Sequence, residues 1–267
     1  MLSVDLNCDL GEGTGADDLA LLEIVTSANI ACGGHAGDEQ TMAATVRAAL
    51  ARGVAIGAHP GYPDRAGFGR TALDVRAAEV EGFVFEQVAA LARIAAEQGA
   101  ALTHVKLHGA LYHKAMGDAA VALAVAAAVR RLDAHRAPHA PPSPALRLVA
   151  MPGTTAHRVW REEGLGVLIE AFADRRYEPD GTLTARTHRR ALITLPPLAA
   201  AQAYLFTCRG IHGIGRGMRP HTICIHSDTP GAVAVAKEVR AMLERSHVRV
   251  ASPSATPTTR SPSKPGF

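Results

Sequence analysis

Short apolar runs that stop at glycine or polar residues alternate with longer amphipathic segments along most of the chain. Seven runs have the character of buried strands, because each is short, largely apolar and bounded by turn-forming residues. They are SVDLN, SANIA, VAIGAHPG, THVKLHGALY, LRLVAMPG, GVLIEAFADR and HTICIHSDTPG, which begin at residues 3, 27, 54, 103, 146, 166 and 221. The pattern predicts about seven strands, each of which leads into a polar loop.

Helical periodicity fills the gaps between these runs. Asp38 is the right residue type to cap a helix that ends before Gly53, and its apolar face would hold Met42, Val46, Ala49 and Leu50. Further helices are predicted over 74–98, over 118–132 and from Thr229, which with Pro230 has the N-cap and N1 pattern. Strands that alternate with helices pair in parallel, and seven or eight such units close into a barrel. The predicted fold class is therefore α/β, a TIM-barrel-like (β/α) barrel.

Polar residues follow nearly every predicted strand at its C-terminal end, which is the end that carries the chemistry in such barrels. They are Asn7, Asp9, Glu12, His35, His59, Lys106, His108, Glu170, Asp174, Arg175, His226 and Asp228. One histidine at a strand end is usually structural, and Lys106 and Glu170 could simply neutralise each other. Unrelated surface residues would instead scatter to both ends of the strands. The repeated pattern therefore predicts one shared polar cavity, and Arg70 on the glycine loop GFGR is a further candidate for contact with an anion.

Composition narrows the class of protein. The 267 residues, 48% hydrophobic and 20% charged, suit one barrel domain over residues 1–250, and the net charge of +3 is too small to indicate a nucleic-acid partner. No apolar run reaches the roughly 20 residues of a membrane span. Four scattered cysteines and no signal segment before the first strand indicate a cytoplasmic protein. Residues 251–267 are rich in Ser, Thr and Pro and are predicted to be a disordered tail, and 135–145 a surface loop.

Cofactor motifs are scarce. Asp and His from separate strand ends suit zinc or a similar ion, but the sequence has neither H-E-x-x-H nor a tight Cys/His cluster, so the metal question stays open. No G-x-x-x-x-G-K-[ST] motif is present, which argues against a self-contained ATP site. The glycine-rich GIHGIGRG follows a predicted helix rather than a strand, unlike a dinucleotide fingerprint.

Six segments together closely resemble the LamB/YcsF family: DLNCDLGEG, SANIACGGHAGD, IGAHPGYPDRAGFGR, HVKLHGALYHKA, EAFADRRYEPDGTLTAR and ICIHSDTPGA. The resemblance runs in order from about Val4 to Leu243. It implies a seven-stranded (β/α)7 barrel of the polysaccharide-deacetylase-like group. It also implies the A subunit of an ATP-hydrolysing 5-oxoprolinase, which converts 5-oxo-L-proline to L-glutamate in a complex with B and C subunits.

Three positions depart from the pattern of that family. Gly34 stands where the family usually has a bulky Phe, Leu107 where it has Pro, and Ser227 where it has Gly. All three are neighbours of the polar residues rather than the polar residues themselves. They are expected to change the rigidity of the loops and the shape of the pocket more than the chemistry.

The resemblance and the missing ATP motif together suggest that partner subunits handle ATP, the co-substrate. A lactam phosphorylated elsewhere in the complex would then be opened by water in this barrel. We expect Asp9 or Glu12, with His59, to activate water and His108 to protonate the leaving nitrogen. Lys106 and Arg70 are expected to bind anions. The remaining candidates for binding 5-oxoproline are Asn7, His35, Glu170, Asp174, Arg175, His226 and Asp228.

Two other functions remain open on the sequence alone. The first is a metal-dependent deacetylase or amidohydrolase that acts without partners, with Asp9, His59 and His108 as ligands of a divalent metal. The second is a non-catalytic subunit that binds a small acid. Metal analysis and activity without partners separate the first from the ATP-dependent function, and the second predicts that Asp9→Asn leaves turnover by the whole complex intact.

Overall fold

Seven parallel strands form a closed barrel. The computed structural model describes residues 1–13, 17–134, 145–211 and 218–253. The strands are β1 (Ser3–Leu10), β2 (Ser27–Ala31), β3 (Ala55–His59), β4 (His104–Val105), β5 (Arg147–Ala150), β6 (Gly166–Phe172) and β7 (Thr222–His226). Each pairs in parallel with the next, and β1 pairs with both β2 and β7, which closes the ring. The predicted seven-stranded barrel is confirmed, and all seven strand segments were identified from the sequence.

The described helices are α1 (Asp18–Leu22), α2 (Glu39–Leu50), α3 (Ala77–Glu97), α4 (Gly109–Gly117), α5 (Ala119–Ala134), α6 (Thr155–Glu162), α7 (Pro196–Arg209) and α8 (Ala232–Arg245). Asp38 caps α2 as expected, because its side chain accepts a hydrogen bond from the Thr41 backbone N–H at 2.7 Å. Met42, Val46 and Ala49 are buried, but Leu50 is 40% exposed. The placement of Leu50 on the buried face was wrong, because one residue turns a helix by about 100° and carries Leu50 past the edge of that face.

The start of α8 also differs from the prediction. The helix begins at Ala232, and its N-cap is Gly231 with φ of +77° rather than Thr229. The Thr229 hydroxyl instead donates a hydrogen bond to the Asp174 carboxylate at 2.5 Å. The side chain that was expected to cap the helix is therefore used to hold a carboxylate of the candidate site.

The inside of the barrel is polar, while its outside packs on the helices. Along β1, Leu6, Cys8 and Leu10 are fully buried and belong to the hydrophobic core. The residues between them make polar contacts with other strands: Asp5 accepts from Thr222 at 2.5 Å, and Asn7 donates to the same hydroxyl at 2.6 Å. Buried polar groups are tolerated when they are hydrogen-bonded in this way. The first strand is thus buried on both faces, which explains its mixed apolar and polar alternation.

An eighth short strand, β8 (Arg249–Val250), lies outside the ring and pairs with Ser3 and Val4 at the start of β1. Ala251 continues this contact by donating its N–H to the Val4 carbonyl at 3.1 Å. Most of the predicted tail, from residue 254, and most of the predicted surface loop, 135–144, lie outside the described residues. Among the helices described, none combines the length and apolar character that crossing a membrane requires.

Candidate active site

The C-terminal ends of the strands surround a cavity of about 740 Å³. Nine of the residues predicted from the sequence line it: Asp9, Glu12, His59, Arg70, Lys106, His108, Arg175, His226 and Asp228. The other four, Asn7, His35, Glu170 and Asp174, are buried behind this lining and contact it. The structure therefore brings all thirteen candidates into one connected region.

Lys106 forms the floor of the cavity. Its ammonium lies 2.9 Å from Asp9 Oδ1 and 2.9 Å from Glu170 Oε1, and its side chain is 3% exposed. Tyr112 donates its hydroxyl to the other oxygen of Glu170 at 3.0 Å. Lys106 and Glu170 do pair, as expected if they neutralise each other, but the Lys106 ammonium also pairs with Asp9. One ammonium thus compensates two buried carboxylates.

Two histidines above this floor are held by backbone carbonyls. His59 Nδ1 lies 2.8 Å from the Lys106 carbonyl oxygen, and His108 Nε2 lies 2.9 Å from that of Phe68. A carbonyl only accepts, so each of these nitrogens carries the proton and donates. The remaining nitrogens, His59 Nε2 and His108 Nδ1, lie 3.0 Å apart, and Glu12 Oε1 is 3.8 Å and 3.2 Å from them respectively.

Glycines make room for a third imidazole. The His35 ring stacks on that of His108 with centroids 3.6 Å apart, and His35 Nε2 lies 3.0 Å from Glu12 Oε1. A Cβ added at Gly69, whose φ is +62°, would lie 2.7 Å from the His35 Cβ, and one at Gly61 would lie 2.9 Å from His35 Nδ1. Real Cβ atoms do not approach other atoms this closely. The glycine loop that was noted for Arg70 therefore also serves the packing of the histidines.

The space beside Gly34, in the loop after β2, is filled by a side chain of helix α3. The Gln87 side chain of α3 donates to the Gly61 carbonyl at 2.8 Å and accepts from the Gly61 N–H at 3.1 Å. An ideal Cβ at Gly34 would lie 2.4 Å from Gln87 Oε1. Leu107 and Ser227 are the other two positions that differ from the family pattern. Leu107 lines the cavity and is 1% exposed, and the Ser227 hydroxyl is buried with no partner among the described residues.

Electrostatics set the charge of these groups at neutral pH. Burial raises the pKa of Glu12, but its contacts with His108 and His35 outweigh that effect and lower the pKa to about 2. Burial lowers the pKa of His59 to about 3. Burial likewise favours the neutral form of Asp9, yet the positive charges of His59, when it is protonated, and of Lys106 hold the Asp9 pKa well below its usual value. At neutral pH Glu12 and Asp9 are ionised, His59 is neutral, and Lys106 is the charge that stabilises Asp9.

A carboxylate and a histidine form a second unit beside Asp9, because His226 at the end of β7 pairs in register with Asp9 on β1. Asp174 is fully buried and accepts from the His226 backbone N–H at 3.0 Å, from His226 Nδ1 at 3.0 Å and from the Thr229 hydroxyl. The His226 ring stacks on Phe172 with centroids 5.3 Å apart. His226 Nδ1 therefore carries the proton that Asp174 accepts, and Nε2 is left for the cavity that His226 lines.

Arginines form the rim of the cavity. Asp228 holds both Arg70 and Arg186, and the two terminal nitrogens of Arg186 lie 2.8 Å and 3.3 Å from its carboxylate. Arg175 is 3% exposed and donates to the Thr184 carbonyl at 2.8 Å. The rim thus contains three guanidinium groups and the one carboxylate of Asp228, which two of them contact, so it has a net positive charge and suits an anion.

Four residues of this region were not among those predicted from the sequence. Arg186 was the last residue of one family segment but lies in the long connection between β6 and α7, where no periodicity singles it out. Tyr112 had the appearance of an apolar helix residue, and Cys224 that of a core thiol, although its Sγ lies 2.9 Å from Lys106 Nζ. Asn29 donates to both Asn7 Oδ1 and Asp9 Oδ1 at 2.8 Å. An amide in the middle of the apolar run SANIA was the one available signal.

The chain is similar over most of its length to the proteins of one known family. The profile of the LamB/YcsF family matches residues 4–258. The chain is 48% identical over 258 residues to the A subunit of 5-oxoprolinase from Methylococcus capsulatus, with 94% of this chain and 95% of that protein covered. It is 47% identical over 261 residues to the protein of the same name in Chloroflexus aggregans, with 95% and 100% covered. Among solved structures, the lactam utilization protein of Thermus thermophilus is similar with a TM-score of 0.84 and 40% identity, covering 94% of this chain and 100% of that one.

Proposed function

The chain belongs to the LamB/YcsF family, and we propose on that basis that it is the A subunit of an ATP-dependent 5-oxoprolinase. It would open the lactam ring of 5-oxo-L-proline to give L-glutamate, in the cytoplasm and together with B and C subunits. The observation that carries the proposal is the cavity itself. It brings ionised Glu12, neutral His59 and the Asp174–His226 pair into one cavity with a cationic rim, in a chain whose relatives bear that name.

The reaction needs activation of a poor electrophile. A lactam carbonyl resists attack by water, and its phosphorylation from ATP by the partner subunits would give a reactive imidoyl phosphate. Water then adds to the former carbonyl carbon, and a proton delivered to the ring nitrogen lets the carbon–nitrogen bond break. The resulting γ-glutamyl phosphate loses phosphate to a second water molecule and leaves glutamate. Two water molecules are consumed for each ATP, one in opening the ring and one in releasing phosphate.

Water is activated in this proposal by residues of the histidine cluster, which consists of His35, His59 and His108 with Glu12. Glu12 is ionised, and His59 Nε2 has no hydrogen because its proton is held on Nδ1 by the Lys106 carbonyl. Both groups can therefore accept a proton from water that lies in the cavity. Asp9 was an equal candidate from the sequence; Lys106 and Asn29 engage its Oδ1, while its Oδ2 lies 3.5 Å from His59 Nε2, so we assign Asp9 to holding Lys106 and His59 in position.

The proton for the leaving nitrogen comes from His226 in this proposal. His108 was expected to donate it, but Nε2 of His108 is engaged by the Phe68 carbonyl and Nδ1 faces His59 and Glu12. His226 Nε2 faces the cavity, and the ionised Asp174 on its other nitrogen stabilises the imidazolium, as a carboxylate does in other carboxylate–histidine pairs. The substrate carboxylate and the phosphoryl group lie against Arg70, Arg175 and Arg186.

Reconstituted turnover tests the assignment. We expect the chain with its B and C partners, but not alone, to convert 5-oxoproline and ATP to glutamate. His226→Asn should lower turnover by about 100-fold or more, because general acid catalysis contributes at least that much. His113→Asn, a histidine on the wall of the same cavity, is the matched control and should turn over normally. Equal turnover by both variants would remove His226 from the mechanism.

A metal-dependent amidohydrolase that needs no ATP is the second candidate function. It is favoured by the convergence of Glu12, His35, His59 and His108, whose donor atoms all lie within 4.8 Å of one another. This function predicts that the chain alone opens a simple amide or lactam when a divalent metal is supplied. A non-catalytic acid-binding role predicts instead that Glu12→Gln leaves turnover by the whole complex intact.

A further inference from the structure

Two imidazole nitrogens without hydrogens face each other in the histidine cluster. His59 Nδ1 donates to the Lys106 carbonyl and His108 Nε2 to the Phe68 carbonyl. A neutral imidazole has a single N–H, so His59 Nε2 and His108 Nδ1 both present lone pairs, and they lie 3.0 Å apart. Two lone pairs at this distance repel each other unless a cation lies against both of them.

The backbone is strained to keep this arrangement. Phe68, whose carbonyl fixes the tautomer of His108, has φ of +53°, in the left-handed region that non-glycine residues rarely adopt. Such a conformation is unfavourable and persists only where the surroundings over-determine it. The two carbonyls thus fix which nitrogen of each ring carries the proton and leave His59 Nε2 and His108 Nδ1 with free lone pairs 3.0 Å apart.

A carboxylate oxygen completes the group. Glu12 Oε1 lies 3.2 Å from His108 Nδ1 and 3.8 Å from His59 Nε2, and His35 Nε2 at 3.0 Å orients the Glu12 carboxylate. Ligand atoms about 2.0–2.2 Å from a zinc ion are separated from one another by about 3–4 Å. The three donor atoms therefore already have the spacing that one such ion requires.

We propose that Glu12, His59 and His108 form a binding site for one first-row transition-metal dication such as Zn²⁺. Imidazole nitrogens select such ions over Mg²⁺ and Ca²⁺, which take oxygen ligands. The sequence had placed Asp9 in the ligand set. Asp9 Oδ2 does lie 3.5 Å from His59 Nε2, but Asp9 does not belong to the group of donor atoms that converge on both histidines, and Glu12 does. Three protein ligands with a side open to a cavity are typical of catalytic rather than structural sites.

The site faces the cavity with the arginine rim. A dication bound there acts as a Lewis acid towards carbonyl and phosphoryl oxygens. Metal binding, however, requires neither the partner subunits nor the substrate. With the ion bound, Glu12 Oε1 and His59 Nε2 would be ligands and would no longer accept a proton from water, and Asp9 Oδ2, 3.5 Å from His59 Nε2, is the carboxylate oxygen left beside them for that role. The proposal thus goes beyond the proposed ring opening and is tested separately from it.

The test is a metal titration of the full chain without an affinity tag. Chelator-stripped protein is titrated with Co²⁺ by visible absorption and with Zn²⁺ by calorimetry, and its melting temperature is measured with and without metal. We expect one equivalent per chain, a micromolar or tighter Kd, and Co²⁺ bands typical of nitrogen and oxygen ligands. At a metal concentration a hundredfold above Kd, the melting temperature should rise by about 5–10 °C.

Variants assign the site. His108→Asn and Glu12→Gln should each weaken binding by about 100-fold or more and remove the Co²⁺ bands, while His113→Asn should bind like the wild type. The absence of saturable binding by the folded wild type would overturn the proposal, and a proton shared by His59 and His108 would then explain their contact. Undiminished binding by a folded His108→Asn variant would overturn it as well. Either failure leaves the His226 assignment intact, because that assignment is read from turnover.

Discussion

Replacement of Lys106 by methionine tests the claim that one ammonium holds two buried carboxylates. Lys106→Met keeps most of the aliphatic volume of the side chain and removes its charge. In the wild type the ammonium lies 2.9 Å from both Asp9 and Glu170, and the side chains of all three residues are at most 7% exposed. The variant therefore leaves two carboxylates in the barrel without their cation.

The expected loss of stability is large. Removing one partner of a buried ion pair costs about 3–5 kcal/mol, because the remaining charge stays desolvated. Two carboxylates lose their partner here, so we expect at least about 4 kcal/mol at pH 8. For a domain of this size that corresponds to a fall of roughly 10 °C in the melting temperature.

The loss should depend on pH in a defined direction. In the wild type the pKa of Asp9 is lowered, so its stabilising effect is present above the unfolded pKa near 4 and is lost as pH falls below it. Burial already raises the pKa of Glu170 in the wild type; in the variant, without the cation, it raises the pKa of Glu170 further and that of Asp9 as well, so the folded state binds protons more tightly than the unfolded state. Stability of the variant should then fall as pH rises from about 4 to 8. The difference between the two proteins is largest at pH 8 and smallest near pH 4.

Urea unfolding of both proteins from pH 4.5 to 8 measures this difference. The double variant Lys106→Met/Glu170→Gln is the control, since it removes one of the two uncompensated charges and should recover about half of the loss. A loss below about 1 kcal/mol at pH 8, or a loss that does not change with pH, would refute the assignment of Lys106 as the shared counter-ion.

Three further predictions concern the rim, the glycine loop and ATP. Arg186→Ala should raise KM for the anionic substrate of the reconstituted complex by about 10–100-fold with a smaller effect on kcat, because a hydrogen bond to a charged group is worth about 1.5–3 kcal/mol; an unchanged KM with a lower kcat would contradict a binding role. Gly69→Ala should destabilise the protein by about 1–3 kcal/mol in urea unfolding, since the φ of Gly69 is +62° and the new Cβ would clash with His35. The control Gly82→Ala, inside α3, should stabilise the protein by up to about 1 kcal/mol, because a Cβ there meets nothing within 4 Å. The isolated chain should release no phosphate from ATP in a coupled assay, because it has no P-loop motif; ATPase activity that a substitution in its own barrel abolishes would contradict this.

The fold could be predicted because strands and helices of a barrel leave different periodic patterns in the sequence. Each strand run ended in glycine or polar residues, and seven such endings located β1 to β7. The start of α8 could not be predicted, because the Thr229 hydroxyl had two possible partners. One possible partner was the backbone of its own helix, which is close in sequence. The other was the Asp174 carboxylate, which is 55 residues away and is brought close only by the fold.

The site could be predicted as a set but not in its internal geometry. Parallel strands bring their C-terminal ends together, so residue type and strand position were enough to collect the candidates. Which carboxylate joins the histidines depends on side-chain contacts that no spacing encodes: Lys106 engages Asp9, while His35 and His108 contact Glu12. Arg186 needed the fold, because only the path of the connection after β6 brings it beside Asp228.

The contact between Gly34 and Gln87 has a consequence for how the family can evolve. The two positions share one volume, and the Gln87 amide that fills it is hydrogen-bonded at both ends to Gly61. A bulky residue at position 34 is therefore incompatible with Gln87 in this arrangement, and a short residue at position 87 would leave a hole beside Gly34. Lineages that exchange one state for the other are expected to change both positions, because a side chain at position 34 would displace the Gln87 amide, the end of a flexible side chain, and break its two hydrogen bonds with Gly61. The pair should accordingly covary among relatives, with large residues at one position accompanied by small residues at the other.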